Sequence, residues 1–264
     1  MSRLVYAELL KLRTTRLWWG VLLGVVVTSV LLAVLTASIA GLDADGDGTG
    51  ATPLTDPGLW RSAYTAGLGF SYLFTLSLGI IVMAGEYRHQ TMSATVLAVP
   101  VRVRIVLAKL VALVGAGAGY GVAMVAASAA AAAVVFTIRN LDVWRGDADI
   151  PQAMLLAVLA TALWAIIGLG VGTLIRNQVV ALMVAIGIGW IVEPLIGFAL
   201  QALDYGEIAK FLPTAATNAV VRPAQQQGVD ITLLPWWGGA LVLLGYGLVS
   251  AAIGAALTLR RDIT

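Results

Sequence analysis

Between Leu17 and Leu42 lie 26 consecutive residues without one charged side chain. A helix of ~20 apolar residues spans the ~30 Å hydrocarbon core of a bilayer. Within lipid, each backbone N–H and C=O must find its partner inside the same segment, so a lone run of this kind is a helix. Five further runs follow, at about 63–84, 103–138, 152–175, 179–203 and 236–259. Only 11% of the residues are charged and 60% are hydrophobic, whereas a soluble domain is ~25% charged. A surface this poor in charge cannot face water all round. The expected fold is an all-α polytopic membrane protein with six transmembrane helices, and residues 1–264 form a single transmembrane domain.

The first run is too long for the ~7–15-residue core of a secretory signal, although Ser38-Ile39-Ala40 resembles a cleavage site. Trp18 and Trp19 at its start suit the headgroup layer. Ahead of it, residues 1–16 place Val5, Leu9 and Leu12 on one helical side and Glu8, Lys11 and Thr15 on another. That pattern predicts an N-terminal amphipathic interfacial helix whose basic side meets anionic headgroups, so membrane lipid is an expected partner.

Charge distribution sets the orientation. With six spans both termini share a side, which then carries 11 of the 16 Lys and Arg residues. Arg61, Arg139, Arg145, Lys210 and Arg222 lie in the opposite loops. By the positive-inside rule the termini are cytoplasmic. The bias toward Arg, Ala, Val and Gly suggests a bacterial source, hence a bacterial plasma membrane.

Between the second and third spans stands the segment Gly85–Lys109, GEYRHQTMSATVLAVPVRVRIVLAK. As a helix it sets Met92, Val96 and Val99 on one side and Glu86, Gln90 and Ser93 on another. Pro100 ends that helix. A short amphipathic helix held between two spans fits the groove of a partner protein. The third span, with 29 apolar residues from Leu110 to Ile138, would be ~43 Å long and must tilt or project.

Several chemistries are missing. There is no cysteine, and no Gly precedes any of the three lysines, which excludes a Walker A loop. His89 is the single histidine and has no second ligand for zinc. Asp43, Asp45 and Asp47 mimic the start of a calcium loop, but Leu54 stands where the bidentate glutamate belongs. Gly168-x-Gly170-x-Gly172 sits inside an apolar helix, where close packing explains it better than nucleotide binding. No catalytic residue, metal or cofactor of its own is expected. Polar groups within spans mark candidate path residues: Ser71 and Thr75 in the second span, and Glu193 beside the helix breaker Pro194 in the fifth. An ion-coupled secondary carrier is the rival reading, although such carriers usually show paired acids or broken inverted repeats. A membrane scaffold or sensor is the other.

Taken in order, Glu8 with Lys11-Leu12-Arg13-Thr14-Thr15-Arg16, then GEYRHQT (85–91), LAVPVRVR (97–104) and Ala108-Lys109 resemble the type-2 ABC exporter permeases over essentially the full chain. Gln90 departs from the glycine found in many relatives. The resemblance implies an exporter subunit that moves a hydrophobic or amphipathic cargo with a separate cytoplasmic ATPase, which would hold ATP and Mg. It implies a second permease subunit, as a homodimer, and no nucleic acid. It makes Glu86, Arg88, His89, Gln90, Thr91, Met92, Val96 and Val99 part of the coupling helix seated in the ATPase. Residues 204–235 would be an outer re-entrant segment before the last span.

Overall fold

The computed structural model describes residues 2–41, 58–88, 102–144, 149–175, 177–203, 205–222 and 233–261. Among these there is no strand. Of the expected coupling segment, His89, Gln90, Thr91, Met92, Val96 and Val99 lie outside the described residues, as do Asp43, Asp45, Asp47 and Leu54.

A short helix α1 (Ser2–Thr14) leads into α2 (Leu17–Ile39). The helices α3 (Gly58–Thr65) and α4 (Leu68–Arg88) form one kinked span, and α5 (Arg102–Ile138) and α6 (Asp149–Leu174) each cross alone. The fifth span is α7 (Gln178–Gly187), a π-helical turn (Ile188–Val192) and α8 (Glu193–Ala202). Two short helices, α9 (Gly206–Ala209) and α10 (Pro213–Val221), precede α11 (Trp236–Arg261). Six spans among the described residues are long and apolar enough to cross a membrane. This is a multi-pass membrane protein.

The second span begins at Gly58, five residues before the apolar run at Ala63. Trp60 and Tyr64 make the extra turns possible, because each buries an apolar ring and keeps a polar handle. The Trp60 indole N–H donates to the Asp142 carbonyl at 2.8 Å, and the Tyr64 hydroxyl donates to the Val143 carbonyl. The Ala66–Gly67 turn then approaches its neighbours too closely for a side chain. A Cβ on Gly67 would lie 2.3 Å from Ser29 Oγ. The Gly67 N–H instead donates to Ser128 Oγ on α5 at 3.1 Å.

Helix α6 is the centre of the bundle, packed against α4, α5, α10 and α11. Its glycines explain the density, for a Cβ on Gly168 would sit 2.0 Å from the Leu76 carbonyl oxygen of α4. One on Gly170 would meet the Gly247 carbonyl of α11 at 2.7 Å. In a membrane, where lipid is as apolar as leucine, such backbone approach is what holds helices together.

Helix α5 runs for 37 residues, about 55 Å at ~1.5 Å per residue, so it extends well beyond a ~30 Å core. Two residues past its end stands Asn140, whose φ of 55° is a left-handed stop that asparagine tolerates better than most residues. The adjacent Arg139 guanidinium donates to the Ala37 and Ala40 carbonyls at 2.6 and 2.8 Å, which satisfies carbonyls left open at the end of α2.

The fifth span bends for a readable reason. Pro194 has no N–H, and in an α-helix its ring collides with the carbonyl four residues earlier. The chain relieves this with the π-turn just ahead of Glu193-Pro194. At the other end of the span, the Asn177 side chain caps α7 by accepting from the Val179 and Val180 N–H groups.

Helices α9 and α10 lie between the last two spans in the chain, and α10 packs against α6 and α11. The Tyr246 hydroxyl donates to the Phe211 carbonyl at 3.2 Å. Tyr246 lies ten residues into α11.

Candidate functional site

At the end of the bundle nearest α1, four charged side chains from three helices meet. Lys109 is eight residues into α5, on the stripe that also buries Ile105, Ala108, Ala112 and Leu113. A lysine on such a stripe needs carboxylate partners, because an unpaired buried ammonium is very costly. Lys109 Nζ donates to Glu8 Oε2 of α1 at 2.7 Å and to Glu86 Oε1 of α4 at 2.6 Å. Lys11 Nζ reaches the same two residues, Glu8 Oε1 at 2.8 Å and Glu86 Oε1 at 3.1 Å. Two cations and two anions therefore alternate around one ring.

The environments differ across this ring. Lys109 is 1% exposed, while the side chain of Lys11 is 51% exposed. Burial alone would push the Glu8 carboxyl up. The Lys109 ammonium, with help from Lys11, overcomes this and holds it below the usual carboxylate range. Burial would likewise lower Lys11, but its bonds to Glu8 and the Glu86 charge hold it above the ordinary lysine value. Glu86 Oε2 is buried and has no hydrogen-bond partner among the described residues.

The ring ties one edge of α1 to the bundle. Its Glu8 edge turns into the protein, while Tyr6, Leu9 and Leu10 are exposed. Glu86, expected on the polar side of the segment after α4, is buried in the last turn of α4 itself. Arg88, two residues on, is exposed and ends that helix. Sequence reading missed the union of Glu8, Lys11, Glu86 and Lys109. The available signal was Lys109 itself, a cation in register with an apolar helical stripe.

The three residues named for a path lie on two spans. Ser71 and Thr75 lie one turn apart on α4 and are buried. Thr75 Oγ1 donates back to the Ser71 and Tyr72 carbonyls of its own helix, and Ser71 Oγ has no hydrogen-bond partner among the described residues. Glu193 does something different. Its Oε1 accepts the Thr214 N–H in the first turn of α10. That helix opens with Pro213, and its own N-cap residue, Leu212, supplies no acceptor. A carboxylate from another span thus caps it, as favoured by the unsatisfied N–H groups and the positive end of the helix dipole. The Trp164 indole N–H donates to Thr217 Oγ1 at 3.0 Å and pins the next turn of α10.

Among the described residues, six apolar spans pack around a glycine-rich centre, and a charge ring joins the N-terminal helix to two of them. The sequence profile of the ABC-2 family transporter proteins matches residues 4–193, well over half of the chain and inclusive of the whole ring. The chain belongs to that family. A comparison with curated proteins gave no significant match.

Proposed function

We propose that this chain is the permease subunit of an ATP-driven exporter in a bacterial plasma membrane. Both termini and residues 85–109 face the cytoplasm. A separate cassette ATPase, which holds the ATP and Mg, docks on the segment from Arg88 to Val99, just past Glu86 in the ring, and a second permease subunit completes a homodimer. α1 lies in the headgroup layer with Tyr6, Leu9 and Leu10 toward lipid. The cargo is hydrophobic or amphipathic and leaves the cytoplasm.

The observation that carries this reading is the charge ring. Glu86 lies three residues before His89, and Lys109 lies eight after Val101. The ring fastens both ends of the intervening segment to one another and to α1. A push on that segment then moves α4, α5 and α1 as one body, and α4 and α5 carry it to α6. ATP drives transport only if it favours one arrangement of the spans over another, since equal affinity shifts nothing.

The test begins with purification from native membranes, where a cassette ATPase is expected at 1:1. Alanine at Met92, Val96 and Val99 together should leave insertion intact and uncouple ATP hydrolysis from cargo movement. Because the chain has no cysteine, a single Arg88→Cys variant can be labelled from either side without background. Transport by the pure chain in vesicles without nucleotide, or labelling of that cysteine from outside, would refute the proposal.

A further inference from the structure

At the end of the bundle opposite α1 is a hollow of ≈ 260 Å³. Its polar lining comes from Thr36 of α2, Ser62 and Thr65 of α3, and Thr214, Thr217 and Asn218 of α10. Tyr72 and Trp164 also line it, with ring centroids 4.6 Å apart. Among the described residues, no charged side chain contributes to the lining. We propose that this hollow binds a neutral sugar ring.

Hydroxyl and amide groups are costly to collect inside a membrane protein unless water or a ligand meets them. Here the hydroxyl hydrogens are already committed in two places. Thr65 Oγ1 donates to the Arg61 carbonyl at 2.7 Å, and Thr217 Oγ1 donates to the Pro213 carbonyl at 2.8 Å. Thr65 Oγ1 is left as an acceptor, and Thr217 Oγ1, which already accepts the Trp164 indole N–H, keeps one further lone pair, so the matching ligand brings O–H donors. Among the described residues the one carboxylate beside the lining, Glu193, is already taken up by the Thr214 N–H, so a phosphate or an ammonium would lose its hydration with no free counter-charge, which disfavours both. An aromatic wall suits the carbon-bound hydrogens on the face of a sugar ring. The volume is just under the ~300–1,000 Å³ of drug-sized pockets, so it accommodates one ring and not a long chain.

Two sources supply that chemistry, a glycolipid head group and a soluble sugar. Thr36 lies three residues before the end of α2, close to where head groups lie, and both sources reach that depth.

The test uses the full chain in lipid nanodiscs. Native mass spectrometry compares retention of monoglucosyl-diacylglycerol, phosphatidylglycerol and diacylglycerol. Saturation-transfer NMR probes free methyl glucoside. A head-group site retains the glycolipid about tenfold over the other two lipids, the effect of one or two net hydrogen bonds. A soluble-sugar site gives saturation transfer from the free glycoside with no lipid preference. Asn218→Leu and Thr36→Val alter the lining without touching the Trp164–Thr217 bond that holds α10, and each should lower whichever signal is seen by about tenfold with an unchanged melting temperature. Equal retention of all three lipids with no transfer from the glycoside, the result for a hollow that holds only water, overturns the proposal. So does a signal that both variants leave at its original strength.

Discussion

Lys109 Nζ and Glu86 Oε1, 23 positions apart in the chain, lie 2.6 Å from one another with both side chains under 10% exposed. The same ammonium holds Glu8 from α1. Buried pairs of this kind add little net stability compared with a well-packed apolar substitute, but breaking one is expensive because the partner charge stays buried. Lys109→Met should therefore lower the stability of the detergent-solubilised protein by about 3–5 kcal/mol. Adding Glu8→Gln to Lys109→Met removes one of the stranded carboxylates, so the double variant should melt above the sum of the two single losses. A double-mutant cycle by thermal melting reads the coupling directly. Strict additivity would mean the ring does not exist in solution.

The ring also fixes a pH profile. The Glu8 carboxyl is held below its ordinary range, so its contribution is present above the unfolded value and is lost as pH falls through the lower folded one. Lys11 is held above its ordinary value, so its contribution is present below that value and is lost only as pH rises past the raised one. Stability should be flat with respect to this ring between about pH 5 and about pH 10, with an acid limb below. Glu8→Gln should flatten that limb. Melting curves from pH 3 to pH 8 check it, and an unchanged limb in Glu8→Gln would assign the acid loss to another group.

Not everything in this fold was hidden in the sequence, and the division has a physical basis. The spans were legible because a membrane helix satisfies its backbone locally, and nothing distant is needed to specify it. The glycine run at 168–172 was legible as packing for the same reason, since small residues in an apolar helix have few other uses. Gly58–Ser62 were read as loop because Trp60 and Arg61 interrupt the hydropathy there. The Trp60 bond to Asp142 that stabilises those turns comes from 82 residues away. The charge ring was illegible as a unit because it joins residues 8, 86 and 109, and no periodicity along the chain links them. Glu193 stood out as an intramembrane acid, but its Thr214 partner depends on how α10 folds back, which no local pattern encodes.

Close packing along α6 yields a contrast between two glycines. Gly168→Ala puts a methyl group 2.0 Å from the Leu76 carbonyl oxygen, a backbone atom that cannot rotate aside, so α4 and α6 must separate. Gly119→Ala on α5 meets nothing within 4 Å. It should be neutral or stabilise by up to ~1 kcal/mol through helix propensity alone. Melting in detergent separates the two, with Gly168→Ala well below wild type and Gly119→Ala at or above it. Equal melting points would show that the α4–α6 contact is looser than described.

Glu193 has two readings, a path-lining acid and a cap on α10, and they separate experimentally. As a cap, Glu193→Gln keeps an acceptor oxygen for the Thr214 N–H and should leave α10 in place. Glu193→Ala removes that acceptor from a helix whose Leu212 and Pro213 supply none, at a cost of about 0.5–2 kcal/mol. The loss is local, because Trp164–Thr217 and Tyr246–Phe211 still hold the neighbouring turns. Hydrogen exchange by mass spectrometry should therefore quicken in residues 214–221 of Glu193→Ala and stay at the wild-type rate in Glu193→Gln. If both variants exchange like wild type, the carboxylate does not support α10. If Glu193→Gln abolishes cargo movement while exchange is unchanged, its charge acts on the cargo or on a proton rather than on the fold.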